Sequence, residues 1–337
     1  MKIRYIAIVL ACSVMVGCAK HSTDVATTTA PNGPSSDAVF NFAQQGNADA
    51  QYDMGLMYDL GDEVAQDYGK AMHWYQLAAK QGHAKAQFKI GLMYRKGKGV
   101  AQDDAEAVNW YRLAAEQKYA DAQNNLGVMY EKGLGVNQDD SEAVRWYQLA
   151  ARQGNADAQK NLGNLYRKGK GVDQNPAEAA RYFRLAAEQG HAAGQTMLGA
   201  MYYQGKGVNQ DYAEAARLFQ LAANQGQVHA QYNLALMYLK GLGVKQNSPK
   251  AVRLFQLAAK QGDVDAQNGL GVLYFFGEGV APNAVQAYMW LSLAATAGNA
   301  KSAGMRDRVA SNMTAQQIAQ AQQLAMQCQT SRFTQCD

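Results

Sequence analysis

The sequence predicts an all-α fold, a right-handed α-solenoid of helix-turn-helix repeats closed by a C-terminal capping helix. Three observations carry that prediction. The stretch Gly-Asn-Ala-Asp-Ala-Gln at Gly46 to Gln51 returns with variation at Gly82, Gly154, Gly190, Gly226, Gly262 and Gly298, in register with a 36-residue period, and a fixed period of that length marks stacked repeats. On this period whole columns align: Gln51, Gln87, Gln123, Gln159, Gln195, Gln231 and Gln267 form one, and Tyr58, Tyr94, Tyr130, Tyr166, Tyr202, Tyr238 and Tyr274 form another. Five prolines in 337 residues, and no column rich in valine and isoleucine, favour helix throughout. Seven full copies span Gly46 to Ala297, and an eighth starts at Gly298 and drifts away. A chain of this length would ordinarily divide into two or three domains. In a repeat array each unit touches mainly its neighbours, so residues 40–310 read as one elongated domain.

Residues 1–17 read as an export signal. Lys2 and Arg4 precede an apolar run from Tyr5 to Val16 that is too short to span a membrane as a mature helix. The run ends in Met15-Val16-Gly17-Cys18, which resembles a bacterial lipobox with Met15 where Leu is usual. The resemblance implies acylation of Cys18, and Ala19 after it implies sorting to the outer membrane. The expected location is the bacterial cell envelope, as an outer-membrane lipoprotein facing the periplasm. A soluble periplasmic or secreted protein is the alternative. Removing the signal leaves 30 basic side chains against 28 acidic ones, too even a balance to point to nucleic acid. Residues 18–39, with Thr27-Thr28-Thr29 and Pro31-Asn32-Gly33-Pro34, cannot bury apolar area and read as a disordered tether.

Each repeat divides into two helices. Helix A of the first copy is expected from Ala48 to Asp59, with Ala50, Met54, Met57 and Tyr58 on one face. Gly55, Gly91, Gly127, Gly163, Gly199 and Gly271 fill one column inside it, with Ala235 as the exception. Glycine there costs about 1 kcal/mol relative to alanine, so the column implies close approach by a neighbouring helix. Helix A stops at Gly-x-Gly-Val, as in Gly97-Lys98-Gly99-Val100, where the first glycine takes the left-handed position past a helix end. Glu63 replaces the second glycine in the first copy, which predicts a different turn there.

Helix B starts at a capping residue in every copy: Asp67, Asp103, Asp139, Asn175, Asp211, Asn247 and Asn283. Glu106, Glu142, Glu178, Glu214 and Gln286, three positions on, complete a capping-box pattern. Ala71, Trp74, Tyr75, Leu77, Ala78, Ala79 and their equivalents supply the other half of the core. Full burial of each large residue contributes roughly 1.5 to 3 kcal/mol. That burial arrives only when copies stack, so a single unit should not fold alone.

The Leu-Gly-x-Met-Tyr, Gly-x-Gly-Val, Asp-x-x-Glu-Ala and Trp-Tyr-x-Leu-Ala-Ala elements resemble Sel-1-like repeats, relatives of the tetratricopeptide repeat, from Gly46 to about Ala310. Ala287-Tyr288-Met289-Trp290-Leu291-Ser292, followed by Met313-Thr314-Ala315-Gln316-Gln317-Ile318, is similar to the closing segment of bacterial members. Residues 311–337 then form a capping helix, from about Thr314 to Gln327, and a tail. Cys328 and Cys336 can close a short disulfide there in an oxidising compartment, the alternative being two unpaired thiols on a frayed end.

Chemistry for catalysis is hard to find in this sequence. His21, His73, His83, His191 and His229 are scattered, and no His-Glu-x-x-His, Gly-x-Ser-x-Gly or phosphate-binding glycine loop occurs. Cysteine-paired relatives have been described as penicillin-binding or β-lactamase-like. This chain lacks both a cysteine pair in each repeat and the Ser-x-x-Lys, Ser-Asp-Asn and Lys-Thr-Gly signatures. No cofactor, metal site or small-molecule substrate is expected.

The resemblance implies a protein-protein interaction scaffold or adaptor, non-enzymatic, held at the membrane by its lipid. The alternatives are a cell-wall-related enzyme, or a surface factor that binds host proteins. Candidate partner-binding residues are those that vary at the end of helix A: Arg95, Lys96, Arg167 and Lys168, then Tyr203, Leu239, Phe275 and Phe276. In this reading basic residues steer an acidic segment and apolar ones anchor it. The structural alternatives are cations placed at helix C-termini and apolar residues covered by the terminal helix.

Overall fold

The computed structural model describes residues 36–336. Residues 1–17, read as an export signal, Cys18 and most of the stretch read as a tether lie outside the described residues. Within them are seventeen α-helices and no strand. α1 (Ser36–Gln44) leads into seven hairpins: α2 (Ala48–Leu60) with α3 (Tyr68–Lys80), α4 (Ala84–Lys96) with α5 (Asp104–Glu116), α6 (Ala120–Lys132) with α7 (Asp140–Arg152), α8 (Ala156–Lys168) with α9 (Pro176–Glu188), α10 (Ala192–Gln204) with α11 (Tyr212–Asn224), α12 (Val228–Lys240) with α13 (Ser248–Ala259), and α14 (Val264–Phe276) with α15 (Ala284–Thr296). α16 (Ala300–Ala310) and α17 (Ala315–Thr330) close the array. From α1 to α16 each helix packs against the one before and the one after, most extensively within a hairpin, which makes an all-α solenoid.

The turns follow from local chemistry. Gly61, Gly97, Gly133 and their equivalents end each helix A in the left-handed conformation, as at Gly133 with φ 65°. The backbone amide of each helix B cap then donates to a tyrosine carbonyl nine residues back, as from Asp103 to Tyr94 and from Asp139 to Tyr130. A loop glutamine donates to another orphaned carbonyl of helix A, as Gln138 does to Glu131 and Gln174 to Arg167. The seven helix B caps hold as expected, each accepting from a first-turn amide. The capping boxes do not close. Glu142, Glu178 and Glu214 turn instead to Arg145, Arg181 and Arg217 three residues on, where a charge-assisted pair replaces the weaker return bond. Among the described helices only α17, with Thr314 and Gln317, has both halves of the box.

Two expectations at the N-terminal end need correction. The segment read as tether up to residue 39 is already helical from Ser36, because Val39 and Ala43 pack on Ala50 and Met54. The first turn also keeps the common shape, since Glu63 itself takes φ 60°. Elsewhere the second glycine lies against the start of the preceding helix B, where a β-carbon on Gly99 would come within 2.7 Å of the Tyr68 carbonyl oxygen. Glu63 therefore carries the strain of a left-handed non-glycine, about 1 to 2 kcal/mol.

The interior repeats as faithfully as the sequence. Tyr75, Tyr111, Tyr147, Phe183, Phe219 and Phe255 are all buried, each from a helix B. Gly55, Gly91, Gly127, Gly163 and Gly199 face these rings, a β-carbon on Gly127 standing 2.7 Å from Tyr147, and Gly271 faces Leu291. Ala235 shares a core cluster with Phe255, and Gly269 on the next helix A leaves that ring its room. A buried amide ladder ties the repeats together. Gln123 donates to the Ala115 carbonyl of the preceding helix B at 3.0 Å and accepts from Gln153 of its own hairpin at 2.7 Å. The same pair of bonds recurs at Gln159 and Gln195.

The C-terminal end is covered by α17, which lies over α15. Met289 is buried there, although His73, Asn109 and Arg145 in the same column are exposed. Leu293 and Trp290 join one cluster with Leu324, Ala325, Cys328, Phe333 and Cys336. A disulfide links Cys328 to Cys336.

Candidate partner-binding surface

The solenoid leaves the outward columns of helix A free to vary, because none of them enters the core ladder. The basic half of the candidate set is largely solvent-facing: Lys96, Arg167 and Lys168 are exposed, and Arg95 is partly buried. Among the described residues none of the four makes an ion pair with a carboxylate. Arg95 lies near enough to Tyr111 for its charge to oppose the effect of burial, which pushes that phenol up to about 12. Glu131, between the two basic pairs, accepts from the Tyr147 hydroxyl at 2.7 Å. Burial first, then this carboxylate, holds Tyr147 well above the ordinary tyrosine range.

The apolar half is mostly inward. Phe275 packs on the cluster that holds Leu291, Val309 and Ala321 of α17. Leu239 packs on the core around Phe255, and Tyr203 on the core around Phe219, edge-on to Tyr212 at 5.3 Å. Phe276 alone of the four projects, 59% exposed. The structure therefore does not gather the eight candidates into one surface.

It does place Arg167 in a groove that the sequence reading missed. An open cleft of ≈ 600 Å³ lies between α8 and α10, with Met197, Ala200 and Met201 beside Arg167, Gln204 and Lys206. Met197 is the unusual residue: the same column holds Asp53, Lys89, Asn125, Asn161, Asn233 and Gly269 in the other repeats. That single apolar entry in a polar column was the available signal. Earlier on α8, Asn161 donates to Asn124 at 3.0 Å and accepts from Lys160 at 2.6 Å.

The histidines act in the frame. His83 and His191 cap α4 and α10 through Nδ1, accepting from Ala86 and Gly194, while Nε2 of each faces Asp49 or Asp157 of the repeat before. The hydrogen bond from His191 holds the Asp157 carboxyl below the usual carboxylate range. Among the described residues no three His, Cys, Asp or Glu side chains are placed to hold a metal ion.

An array of identical hairpins with an invariant interior and a variable exterior defines a repeat scaffold protein. The Sel1 repeat model matches seven consecutive windows, 48–83, 84–119, 120–155, 156–191, 192–227, 228–263 and 264–299, and the chain belongs to the Sel1 repeat family. It is similar to a Sel1 repeat protein from Oxalobacter formigenes, with 35% identity over 81% of this chain and 79% of that one and a TM-score of 0.67. It is also similar to c5321, a protective antigen of uropathogenic Escherichia coli with an SLR fold, at 30% identity over 86% of each chain and a TM-score of 0.51. No curated protein is close enough to match. Sel1 repeat proteins are generally protein-interaction scaffolds.

Proposed function

We propose that this protein is a non-catalytic adaptor of the bacterial cell envelope that holds a protein or peptide partner on its repeat surface. The observation that carries this reading is the division of labour among columns. The glutamines, glycines and aromatics that build the core barely change from repeat to repeat, whereas the C-terminal ends of helix A change at every step. Selective recognition needs such surface differences on a rigid frame. The export signal and the lipobox at Cys18 support placement at the outer membrane. No helix among the described residues is long and apolar enough to cross a membrane.

In-cell crosslinking followed by mass spectrometry tests the adaptor reading, which predicts recurrent protein crosslinks to the outward ends of helix A. A zymogram in which the purified protein digests cell-wall material would replace it with an enzyme. Radiolabelled palmitate should enter the wild-type protein and not a Cys18→Ala variant. The likeness to a protective antigen favours a second reading, display on the cell surface toward host proteins. Protease shaving of intact cells would reveal it.

A further inference from the structure

We infer that the groove between α8 and α10 is a docking site for an extended acidic peptide that carries an apolar side chain. The inference deepens the adaptor reading and rests on it. Three observations meet in this one place. The cations Arg167 and Lys206 line the cleft, and no carboxylate lines it. Neither cation is paired with an acid among the described residues, and Arg167 reaches only the Asn164 side-chain oxygen at 3.5 Å. Its guanidinium therefore keeps donors free for a carboxylate, and a planar donor fork suits carboxylates best.

The second observation is the apolar wall. Met197 and Ala200 are half-buried, and Met201 lies beneath them with 4% of its surface exposed. Methionine is polarisable and unbranched, so such a wall accepts aliphatic or aromatic side chains of differing shape. A bare phosphate or a nucleic-acid backbone would leave this wall unused. The third is the side-chain amide of Gln204, exposed at the end of α10 and lining the same cleft. A primary amide offers a donor and an acceptor together, the complement of a peptide bond. Charge complementarity, an apolar pocket and a main-chain partner together select a peptide.

The test is fluorescence anisotropy of the mature protein with fluorescein-labelled peptides that alternate glutamate and leucine. Lysine-leucine and glutamate-serine peptides serve as comparisons. The glutamate-leucine peptide should bind at least about tenfold more tightly than either comparison, and should weaken as salt rises from about 50 to about 500 mM. Charge reversal by Arg167→Glu with Lys206→Glu should remove about tenfold or more of that affinity. Ala200→Phe, which fills the wall, should lower it while circular dichroism stays unchanged. Reversal far from the cleft at the exposed Lys301 of α16, Lys301→Glu, should leave it within about twofold. Equal binding of the three peptides, or loss of affinity as large in Lys301→Glu as in the groove variants, would overturn the site. If the in-cell crosslinks to a protein fall elsewhere on the array, the groove fails and the adaptor reading survives. If no protein is crosslinked at all, the adaptor reading itself fails.

Discussion

Replacing Gly127 by alanine sets two known effects against each other. In an exposed helix the change stabilises by about 1 kcal/mol, because alanine is the better helix former. Here the new β-carbon would meet the Tyr147 ring at 2.7 Å. Tyr147 is fully buried, and its hydroxyl is held by the Glu131 carboxylate at 2.7 Å, so the ring cannot retreat without stretching that bond. Overpacking of a tight core costs about 1 to 3 kcal/mol, and a hydrogen bond to a charged group is worth about 1.5 to 3 kcal/mol. Partial loss of both outweighs the helix gain and leaves a net destabilisation of about 2 kcal/mol. Urea unfolding followed by circular dichroism measures the total, and hydrogen exchange should show α6 and α7 loosening first. The double variant Gly127→Ala with Tyr147→Phe should recover part of the loss, since the ring is then free to shift. Ala235→Gly should instead cost about 1 kcal/mol, because Phe255 already has its room. A Gly127→Ala protein as stable as wild type, or more so, would refute the close-approach explanation of the whole column.

Three further outcomes follow from the same interior. Gln159→Leu removes the bonds to Ala151 and from Gln189, and should destabilise by about 1 to 3 kcal/mol in urea titration, two buried side-chain bonds being lost. Alkaline stability should fall from about pH 10 upward. Tyr111, raised from 10.0 to about 12, keeps its proton in the fold over a range where the unfolded chain releases it, so its share is complete below about 10 and lost by about 12. Tyr147, held higher still, extends the loss, and the Tyr111→Phe variant should show a shallower decline. Reduction of the Cys328–Cys336 disulfide, or Cys336→Ser, should loosen the end of α17 by about 2 to 3 kcal/mol. Trp290 fluorescence should shift red in that experiment while exchange in α4 to α11 stays unchanged.

The fold was legible because the same local decision is written many times. Capping residues and Gly-x-Gly turns set helix limits to within a residue or so, as for helix A expected to Asp59 and found to Leu60. The expected last helix, Thr314 to Gln327, lies over Ala315–Thr330. α1 escaped because its nine residues align with only the last nine positions of the helix B pattern. Its nine residues lack the capping and Trp-Tyr columns, and only Val39 and Ala43 occupy the equivalents of Tyr75 and Ala79. The surface was less legible, for a different reason. Variation identifies a column that is free to change, but depth depends on what a distant segment covers. Phe275 and Phe276 are adjacent in sequence, yet one packs on the cluster that includes α17 and the other projects.

The glutamine ladder sets how such a protein can change its length. Each rung reaches back one repeat for a carbonyl and across its own hairpin for an amide, and neither partner depends on the total number of rungs. Duplicating the window 156–191 would keep every bond in register, whereas inserting any other number of residues between rungs would misplace both. Growth and shortening in this lineage are therefore quantised, and a copied window carries α8 with it. The distance between the two ends of the array can then be reset in whole units while the interior stays the same.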